Sequence, residues 1–435
     1  MRRNVRPGAE RCNDRVKFPT IGTAWQCGRE FEVLEMHGRY GFPMPPVQTK
    51  ALPVSPMFVG VVAGCMCINI AVLVWVLFKH PLLNCDFRGL WSFAEFARQR
   101  PVGQIYQAAA LRAFQLQLYP GFRSFFPFQY PPSFLLAISP LGDFNFAVAQ
   151  SIWTVAGLVT LIAAGWMFFA PELRCFAILA LLASPACLLN GAAGETGYFT
   201  AALLLAGFAL LQTRPVSAGI FFGLLTLKPQ LGVLIPFALL ARGELRAIIS
   251  ATLTALALAA VSCLVFPARL WADWPRALLV YQGQYSAAAQ NGDVTLAGDL
   301  RRLGAAAGAA WGLQALIGLA GAAAVFLVFR RGPYRLAVAA LFAGAGFCAP
   351  HAYAYDTIPL TAAILILQPQ SAILVSLCVA SYLAPYLLLT GANNWFAYAF
   401  PEILLFLGII YLALIPEGPT HIRHEPVPAA KPYSK

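Results

Sequence analysis

The chain has 435 residues, of which 59% are hydrophobic and 11% are charged, and its mean hydropathy is +0.68. Soluble domains carry about 25% charged residues, so this composition argues against soluble domains and predicts a polytopic membrane protein in a lipid bilayer. The formal net charge is +12, but nine of the 30 lysines and arginines lie in residues 1–56, and no basic stripe alternates with aromatic residues. We therefore expect no nucleic-acid partner.

Taken in order, the chain divides into three segments. Residues 1–56 are polar, basic and rich in proline, and they predict a disordered cytoplasmic tail. Residues 57–415 predict one transmembrane domain, and residues 416–435 a second cytoplasmic tail. The ten cysteines include no CxxC pair and no Cys/His spacing suited to zinc, so we expect neither a metal nor a cofactor.

Apolar runs recur along the transmembrane segment, and several are shorter than the ~20 residues that cross a bilayer alone. The pattern predicts an all-α, polytopic transmembrane bundle of about 12 spans, give or take two. The runs are 57–78, 145–169, 175–190, 197–212, 215–227, 230–241, 246–266, 304–329, 334–349, 357–368, 371–390 and 396–415.

Basic residues give the bundle an orientation. With the first tail in the cytoplasm, the arginine-bearing turns also fall inside, and the long loops 79–144 and 267–303 fall outside. The polar breaks between the runs then all emerge on the external side of the cell inner membrane. These breaks lie at Asp86, at Asn190 to Glu195, at Lys228, at Gln282 to Asp299 and at His351 to Asp356.

Asp86 is the first carboxylate after the first span, and we interpret it as a catalytic base. The residues that follow place apolar side chains at helical spacing, which predicts an external amphipathic helix in the outer interface. They are Phe87, Leu90, Trp91, Ala94 and Ala97. The alternative is a solvated acid that merely ends a transmembrane helix.

Two further breaks bring polar groups to the same side. Tyr130 lies in an aromatic, proline-containing stretch that either lines a groove or anchors the chain at the interface. The segment from Asn190 to Gly197 contains three glycines, whose backbone amides can approach an anion, and Glu195 is a second acid candidate. A plain turn explains that segment equally well.

Lys228 precedes Pro229 and Gln230 in the middle of an apolar hairpin. A lysine at the membrane either binds an anion, such as a lipid phosphate, or snorkels to the headgroups. His351 and Asp356 could orient a phosphate or a sugar hydroxyl, although a histidine beside tyrosines is also typical of an interfacial belt.

Five short motifs follow one another along the chain: Asn84-Cys85-Asp86-Phe87, Tyr130-Pro131-Pro132, Asn190-Gly191, Leu227-Lys228-Pro229-Gln230 and Tyr355-Asp356. In this order they resemble glycosyltransferase family 87, the polyprenyl-phosphate-mannose-dependent mannosyltransferases of the C-type glycosyltransferase superfamily. The resemblance covers about residues 57–415. At the third break, family members typically carry Asn-Gly-Gln, whereas this chain has Asn190-Gly191-Ala192.

The resemblance implies a catalytic aspartate in the first external loop, at Asp86. It also implies a polyprenyl-phosphate sugar donor, with mannose the expected hexose and an external glycan or lipid as acceptor. We expect inverting displacement, with substrate bound by residues of the later motifs and breaks. These are Lys228, His351, Asp356, Glu195, Asn190, Tyr130 and Gln230.

Two other functions fit a polytopic protein. A transporter or lipid flippase would carry ionisable residues near the bilayer midplane and an inverted repeat, of which only Glu402, inside the last apolar run, gives a hint. A non-catalytic scaffold would leave the clustering of polar breaks on one side unexplained.

Overall fold

The protein is all-helical across the residues that the computed structural model describes, which are 54–79, 85–121, 125–284, 293–369, 371–390 and 395–415. Within these ranges no strand forms, and one isolated antiparallel bridge joins Asp293 to Tyr353. The predicted all-α class is confirmed. Apart from residues 54–56, the two predicted cytoplasmic tails lie outside the described ranges.

The helices of the first half are α1 Pro56–Lys79, α2 Cys85–Gln99, α3 Ala108–Leu118, α4 Phe134–Ile138, α5 Phe146–Phe168, α6 Pro171–Ala183, α7 Pro185–Ala193, α8 Gly197–Leu210 and α9 Pro215–Leu224. Those of the second half are α10 Ile235–Arg242, α11 Leu245–Val265, α12 Leu270–Gln284, α13 Leu296–Arg302, α14 Ala307–Arg331, α15 Tyr334–Gly344, α16 Ile358–Leu367, α17 Ala372–Leu383 and α18 Trp395–Leu414. Short 3₁₀ segments connect them at Val102–Gln104, Ser139–Asp143, Leu225–Leu227, Pro229–Gly232, Ala354–Thr357 and Ala384–Thr390.

Four of the described helices are long and apolar enough to cross a membrane: Pro56–Val74 within α1, and all of α5, α11 and α14. A fifth crossing arises if α6 and α7 form one span, since they meet at an angle of 52°. The remaining apolar helices are shorter, so a total of about 12 crossings stays a prediction.

The bend between α6 and α7 is held by specific polar contacts. Pro185 cannot continue α6, and the Ser184 side chain accepts the Cys187 backbone N–H at 3.1 Å to begin α7. The Ala183 carbonyl at the bend accepts a hydrogen bond of 3.0 Å from Asn69 Nδ2 in α1, and Tyr386 OH donates to Asn69 Oδ1 at 2.5 Å. The bend is therefore a fixed part of the fold.

The helix predicted after Asp86 is present as α2, but apolar burial is not confined to one face. Phe87, Leu90 and Ala94 are buried as expected, and so are Phe93 and Phe96. They pack against α3, α4 and the segment Ser139–Asp143 in a second hydrophobic core, to which α12 also contributes. Both predicted long loops thus contain helices, and an external position for α2 stays a prediction.

The path of the chain through α9 and α10 places Lys228 and Arg242 at opposite ends of these helices. The chain runs from Arg214 through α9 to Lys228 and returns through α10 to Arg242. At the Arg242 end, arginines meet rings and carbonyls: the Arg242 guanidinium lies 5.5 Å from the Tyr334 ring centre, and Arg335 Nε donates to the Ile366 carbonyl at 2.6 Å. We call this the basic end, and the end that carries Lys228 the polar end.

Candidate active site

Lys228 is the centre of the polar end. Because Pro229 disfavours helical geometry in the residue before it, Lys228 adopts φ −135° and ψ 71° between two 3₁₀ segments. Its side chain is 5% exposed, and Nζ donates to Asp356 Oδ1 at 2.6 Å and to Thr196 Oγ1 at 3.0 Å. Nζ also lies 5.2 Å from the Tyr355 ring centre. The Lys228 ammonium is therefore held in the protein interior by specific partners and does not snorkel to the lipid headgroups.

Asp356 uses both carboxylate oxygens. It lies in the 3₁₀ segment Ala354–Thr357 at the start of α16, where Oδ2 accepts the backbone N–H of Tyr353 at 3.1 Å while Oδ1 binds Lys228. The side chain of Asp356 is fully buried. The carboxylate therefore fixes Lys228 relative to the turn from His351 to Asp356.

The glycine-rich break is a shaped turn. Helix α7 ends at Ala193 and is capped by Gly194, whose φ of +73° favours glycine. The N–H groups of Gly194 and Glu195 both donate to the Asn190 carbonyl, at 2.8 and 3.2 Å. The Asn190 side chain accepts the Gly197 N–H at 2.7 Å, and a Cβ at Gly197 would lie 2.4 Å from the Tyr355 carbonyl oxygen. This turn therefore brings Glu195 against the turn that carries Asp356.

Glu195 lies inside that turn and is almost fully buried. Its Oε2 accepts hydrogen bonds from the Thr196 N–H and from Tyr130 OH, both at 3.2 Å, and its own carbonyl accepts from Trp153 Nε1 at 3.3 Å. Burial raises the pKa of Glu195, the Lys228 charge opposes that shift, and the Asp356 charge adds to it.

Asp86 reaches this cluster from the first turn of α2. The neighbouring Phe87 lies directly over Gly194, since a Cβ there would lie 2.5 Å from the Phe87 Cβ. Burial and the charge of Glu195 raise the pKa of Asp86 to about 7, against the opposing charge of Lys228. Asp86 therefore lies close enough to Glu195 for the charge of Glu195 to act on it.

A second pair stands beside the first. His351 Nδ1 lies 2.8 Å from Asp293 Oδ2, and the His351 ring meets Tyr353 edge to face with centres 4.7 Å apart. Tyr353 in turn stacks on Tyr355 at 5.2 Å, which leads back to Lys228. The histidine thus has a carboxylate partner, in contrast to the interfacial-belt alternative.

A small buried cluster shows that the breaks meet at one place. It joins residues from the turn after Lys228, from the turn after Asp293 and from the turn around His351, and Leu189 beside Asn190 packs against it. Its buried members are Leu231, Val294, Ala349, Ala352 and Ala354. Seven predicted site residues are therefore brought together: Asp86, Tyr130, Asn190, Glu195, Lys228, His351 and Asp356.

Gln230 is the exception. It is half-buried in the segment Pro229–Gly232, and no described residue makes a hydrogen bond to its side chain. Glu402, the residue that suggested a transporter, is buried in α18 and approaches Gly346 rather than Lys228 or Asp86. In the described part of the chain, no three His, Cys, Asp or Glu side chains come together in a way that could hold a metal ion.

The profile of Glycosyltransferase family 87 matches residues 128–350, just over half of the chain. The chain belongs to this family. No curated protein and no solved structure matches it. The suspected resemblance is confirmed, over a shorter range than the predicted 57–415.

Membership in glycosyltransferase family 87 makes the protein a membrane glycosyltransferase. The matched range contains Tyr130, Glu195, Lys228 and Asp293, while Asp86 precedes it and Asp356 follows it. The contacts described above join Asp86 and Asp356 to residues inside the matched range.

Three contributors to the site were not among the predicted site residues, although Tyr355 and Thr196 lie within the motifs and breaks that the sequence singled out. Thr196 and Tyr355 surround Lys228, and each stands next to a predicted residue, so adjacency to a charged break was the available signal. Asp293 lies in the polar stretch from Gln282 to Asp299, whose individual residues were not distinguished. The spacing Asp293-Val294-Thr295 before a short helix is typical of a helix start and could have drawn notice to Asp293.

Proposed function

We propose that this glycosyltransferase moves a hexose, most simply mannose, from a polyprenyl-phosphate donor to a glycan or lipid acceptor by a single inverting displacement. The observation that carries the proposal is the buried Lys228. Asp356 and Thr196 hold it, and its charge acts on the carboxyl groups of both Asp86 and Glu195. A phosphate group needs such a cation, and an attacking hydroxyl needs such a carboxylate.

In this mechanism, Asp86 accepts the proton of the acceptor hydroxyl as the hydroxyl oxygen forms a bond to the anomeric carbon. The bond between that carbon and the phosphate oxygen breaks, and its electron pair leaves with the polyprenyl phosphate. Because the leaving group is stable as an anion, no general acid is required, and Lys228 with His351 stabilises the added negative charge. Attack opposite the departing phosphate inverts the anomeric centre.

The raised pKa of Asp86, about 7, suits a general base. A base is most effective when its pKa lies near the working pH, because it is then both deprotonated and strong enough to take a proton. The neighbouring Glu195 supplies part of that shift, and Tyr130 holds Glu195 in place.

Membrane placement fits the same donor. A polyprenyl tail stays in the bilayer because its removal into water would expose a large apolar surface. We place the polar end on the external face of the cell inner membrane, since the basic end then faces the cytoplasm in agreement with the positive-inside rule.

The test is transfer of radiolabelled sugar from polyprenyl-phosphate mannose, with Asp86→Asn compared with wild type in purified membranes. We expect loss of transfer by about 10²- to 10⁴-fold, the contribution typical of a positioned general base. Asp273→Asn, a half-buried acid paired with the exposed Arg276 on α12, is the matched control and should retain transfer. Equal transfer by wild type and Asp86→Asn at equal expression would refute the assignment of the base.

A further inference from the structure

The carboxylate of Asp293 is held from three directions. The residue is 3% exposed, Oδ1 accepts hydrogen bonds from the Thr295 N–H at 2.8 Å and from the Thr295 hydroxyl at 2.7 Å, and Oδ2 faces His351 Nδ1 at 2.8 Å. Both oxygens are therefore in use, and one of them is dedicated to the imidazole.

The backbone around Asp293 fixes that carboxylate in place. Asp293 and Tyr353 form an antiparallel bridge, in which the Val294 N–H donates to the Ala352 carbonyl at 2.9 Å. Gly298 lies so close that a Cβ there would be 2.6 Å from the Asp293 Cγ. The Asp293 carboxylate and the His351 ring are therefore fixed on adjacent stretches of one small scaffold.

Asp293 Oδ2 determines which nitrogen of His351 is available. With Nδ1–H donating to Asp293, Nε2 is the ring nitrogen left for a substrate, and no described residue makes a hydrogen bond to it. The charged groups that act on the ring are Asp293, Lys228 and Asp356, so the imidazole faces the same charge cluster as the buried lysine.

We propose that Asp293 is a positioning residue of the transfer reaction: it holds His351 through Nδ1 so that Nε2–H donates to the phosphate of the donor. The inference rests on the proposed function and adds a residue to it. As the bond between the anomeric carbon and the phosphate oxygen breaks, negative charge grows on the phosphate, and a hydrogen bond from a fixed imidazolium strengthens with it.

The charge state of His351 follows from the same pairing. Burial alone would lower the pKa of His351, but the charge and hydrogen bond of Asp293 outweigh burial, so the pKa is raised above its usual range. The imidazolium is present below the raised pKa and is lost as pH rises through it. Removal of the Asp293 charge should therefore leave a neutral, less well oriented ring at neutral pH.

The experiment compares Asp293→Asn, Asp293→Glu, the half-buried control Asp273→Asn and wild type. Each is studied as the full chain in detergent, with size-exclusion chromatography to establish folding. The first readout needs no substrate: each variant carries ¹³C-labelled histidine, and the His351 signal, assigned by His351→Gln among the five histidines of the chain, is titrated by NMR. We expect a midpoint above that of a free histidine in wild type and in Asp293→Glu, and a lower midpoint in Asp293→Asn.

The second readout is transfer from polyprenyl-phosphate mannose across pH. For Asp293→Asn we expect kcat to fall about 10- to 100-fold, by analogy with residues that orient metal-bound histidines, with a smaller change in KM. The high-pH limb of the profile should move to lower pH. Asp293→Glu should keep the wild-type limb at reduced kcat, which a purely structural role would not produce.

An unchanged His351 titration in Asp293→Asn, or kinetics equal to those of Asp273→Asn, would overturn the role of Asp293 while the proposed function stands. Absence of any transfer by wild type overturns the proposed function itself. In that case the histidine titration still reports whether Asp293 controls the charge of His351, so the two failures are distinguishable.

Discussion

The polar and basic ends of the bundle handle charge in opposite ways. At the polar end, Lys228 and Asp356 bury their charges against each other, and Glu195 lies beside them almost without exposure. At the basic end, Arg242 lies over the Tyr334 ring and Arg335 bonds a backbone carbonyl. Full burial of an ion pair costs more desolvation free energy than the partial burial of Arg242 and Arg335, and such pairs often add little net stability. This contrast supports our proposal that the reaction takes place at the polar end.

Removal of one positively charged side chain from each end gives the largest expected difference between the two ends. Lys228→Met leaves Asp356 and Glu195 buried without their positive neighbour, so we expect about 3–5 kcal/mol loss of stability and at least about 100-fold loss of transfer. Arg242→Met removes a contact of about 0.5–1 kcal/mol and should leave transfer nearly unchanged. Thermal unfolding in detergent and the radiolabel assay measure both, and equal losses at the two ends would contradict the contrast.

A smaller perturbation separates the turns of the polar end without changing any charge. In Gly197→Ala the new Cβ would lie 2.4 Å from the Tyr355 carbonyl oxygen and 2.6 Å from Asn190 Oδ1, so the two turns must move apart. We expect about 1–3 kcal/mol of destabilisation and a clear fall in kcat.

Gly64→Ala in α1 is the matched control for Gly197→Ala, since nothing lies within 4 Å of its added Cβ. It should be neutral or stabilising by up to about 1 kcal/mol. Wild-type kcat in Gly197→Ala would mean that contact between the two turns is dispensable.

The finest test changes only the proton affinity of Asp86. Because the base must be deprotonated, kcat/KM should rise with pH through about 7 in wild type. Glu195→Gln removes the negative charge that helps raise the pKa of Asp86, so this limb should move to lower pH, by about one unit or less. A limb that stays in place in the pH–rate profile would show that Glu195 does not act on the base.

The sequence predicted much of the fold because apolar runs and helices share the same physical cause. The runs 145–169, 246–266 and 304–329 correspond to α5, α11 and α14 within three residues at each end. The number of membrane crossings was harder to predict from the sequence. A run such as 334–349 yields the short helix α15, and length alone does not say whether a short helix crosses the membrane. The 52° bend between α6 and α7 likewise depends on Asn69, far away in sequence.

The sequence predicted which polar breaks between the apolar runs come together at the candidate site. It did not predict which side chains of those breaks bond to each other. Positive-inside counting placed Asp86, Glu195, Lys228 and Asp356 on one side, and the structure brings them together. That Lys228 pairs with Asp356 and not Asp86, and that His351 pairs with Asp293, depends on contacts between residues 128 and 58 positions apart. Single-residue patterns carry no information about such pairings.

The polar contact between Asn69 and Tyr386 has a consequence for biogenesis. The first membrane helix carries an amide whose two partners, the Ala183 carbonyl and the Tyr386 hydroxyl, are synthesised 114 and 317 residues later. During insertion, the Asn69 side chain therefore lacks its second hydrogen-bond partner until almost the whole polypeptide has left the ribosome. The contacts that hold the 52° bend between α6 and α7 are thus completed late in synthesis. A chain that stops before residue 386 would contain Asp86, Glu195, Lys228 and Asp356 but would lack the Tyr386 contact that helps to hold this bend.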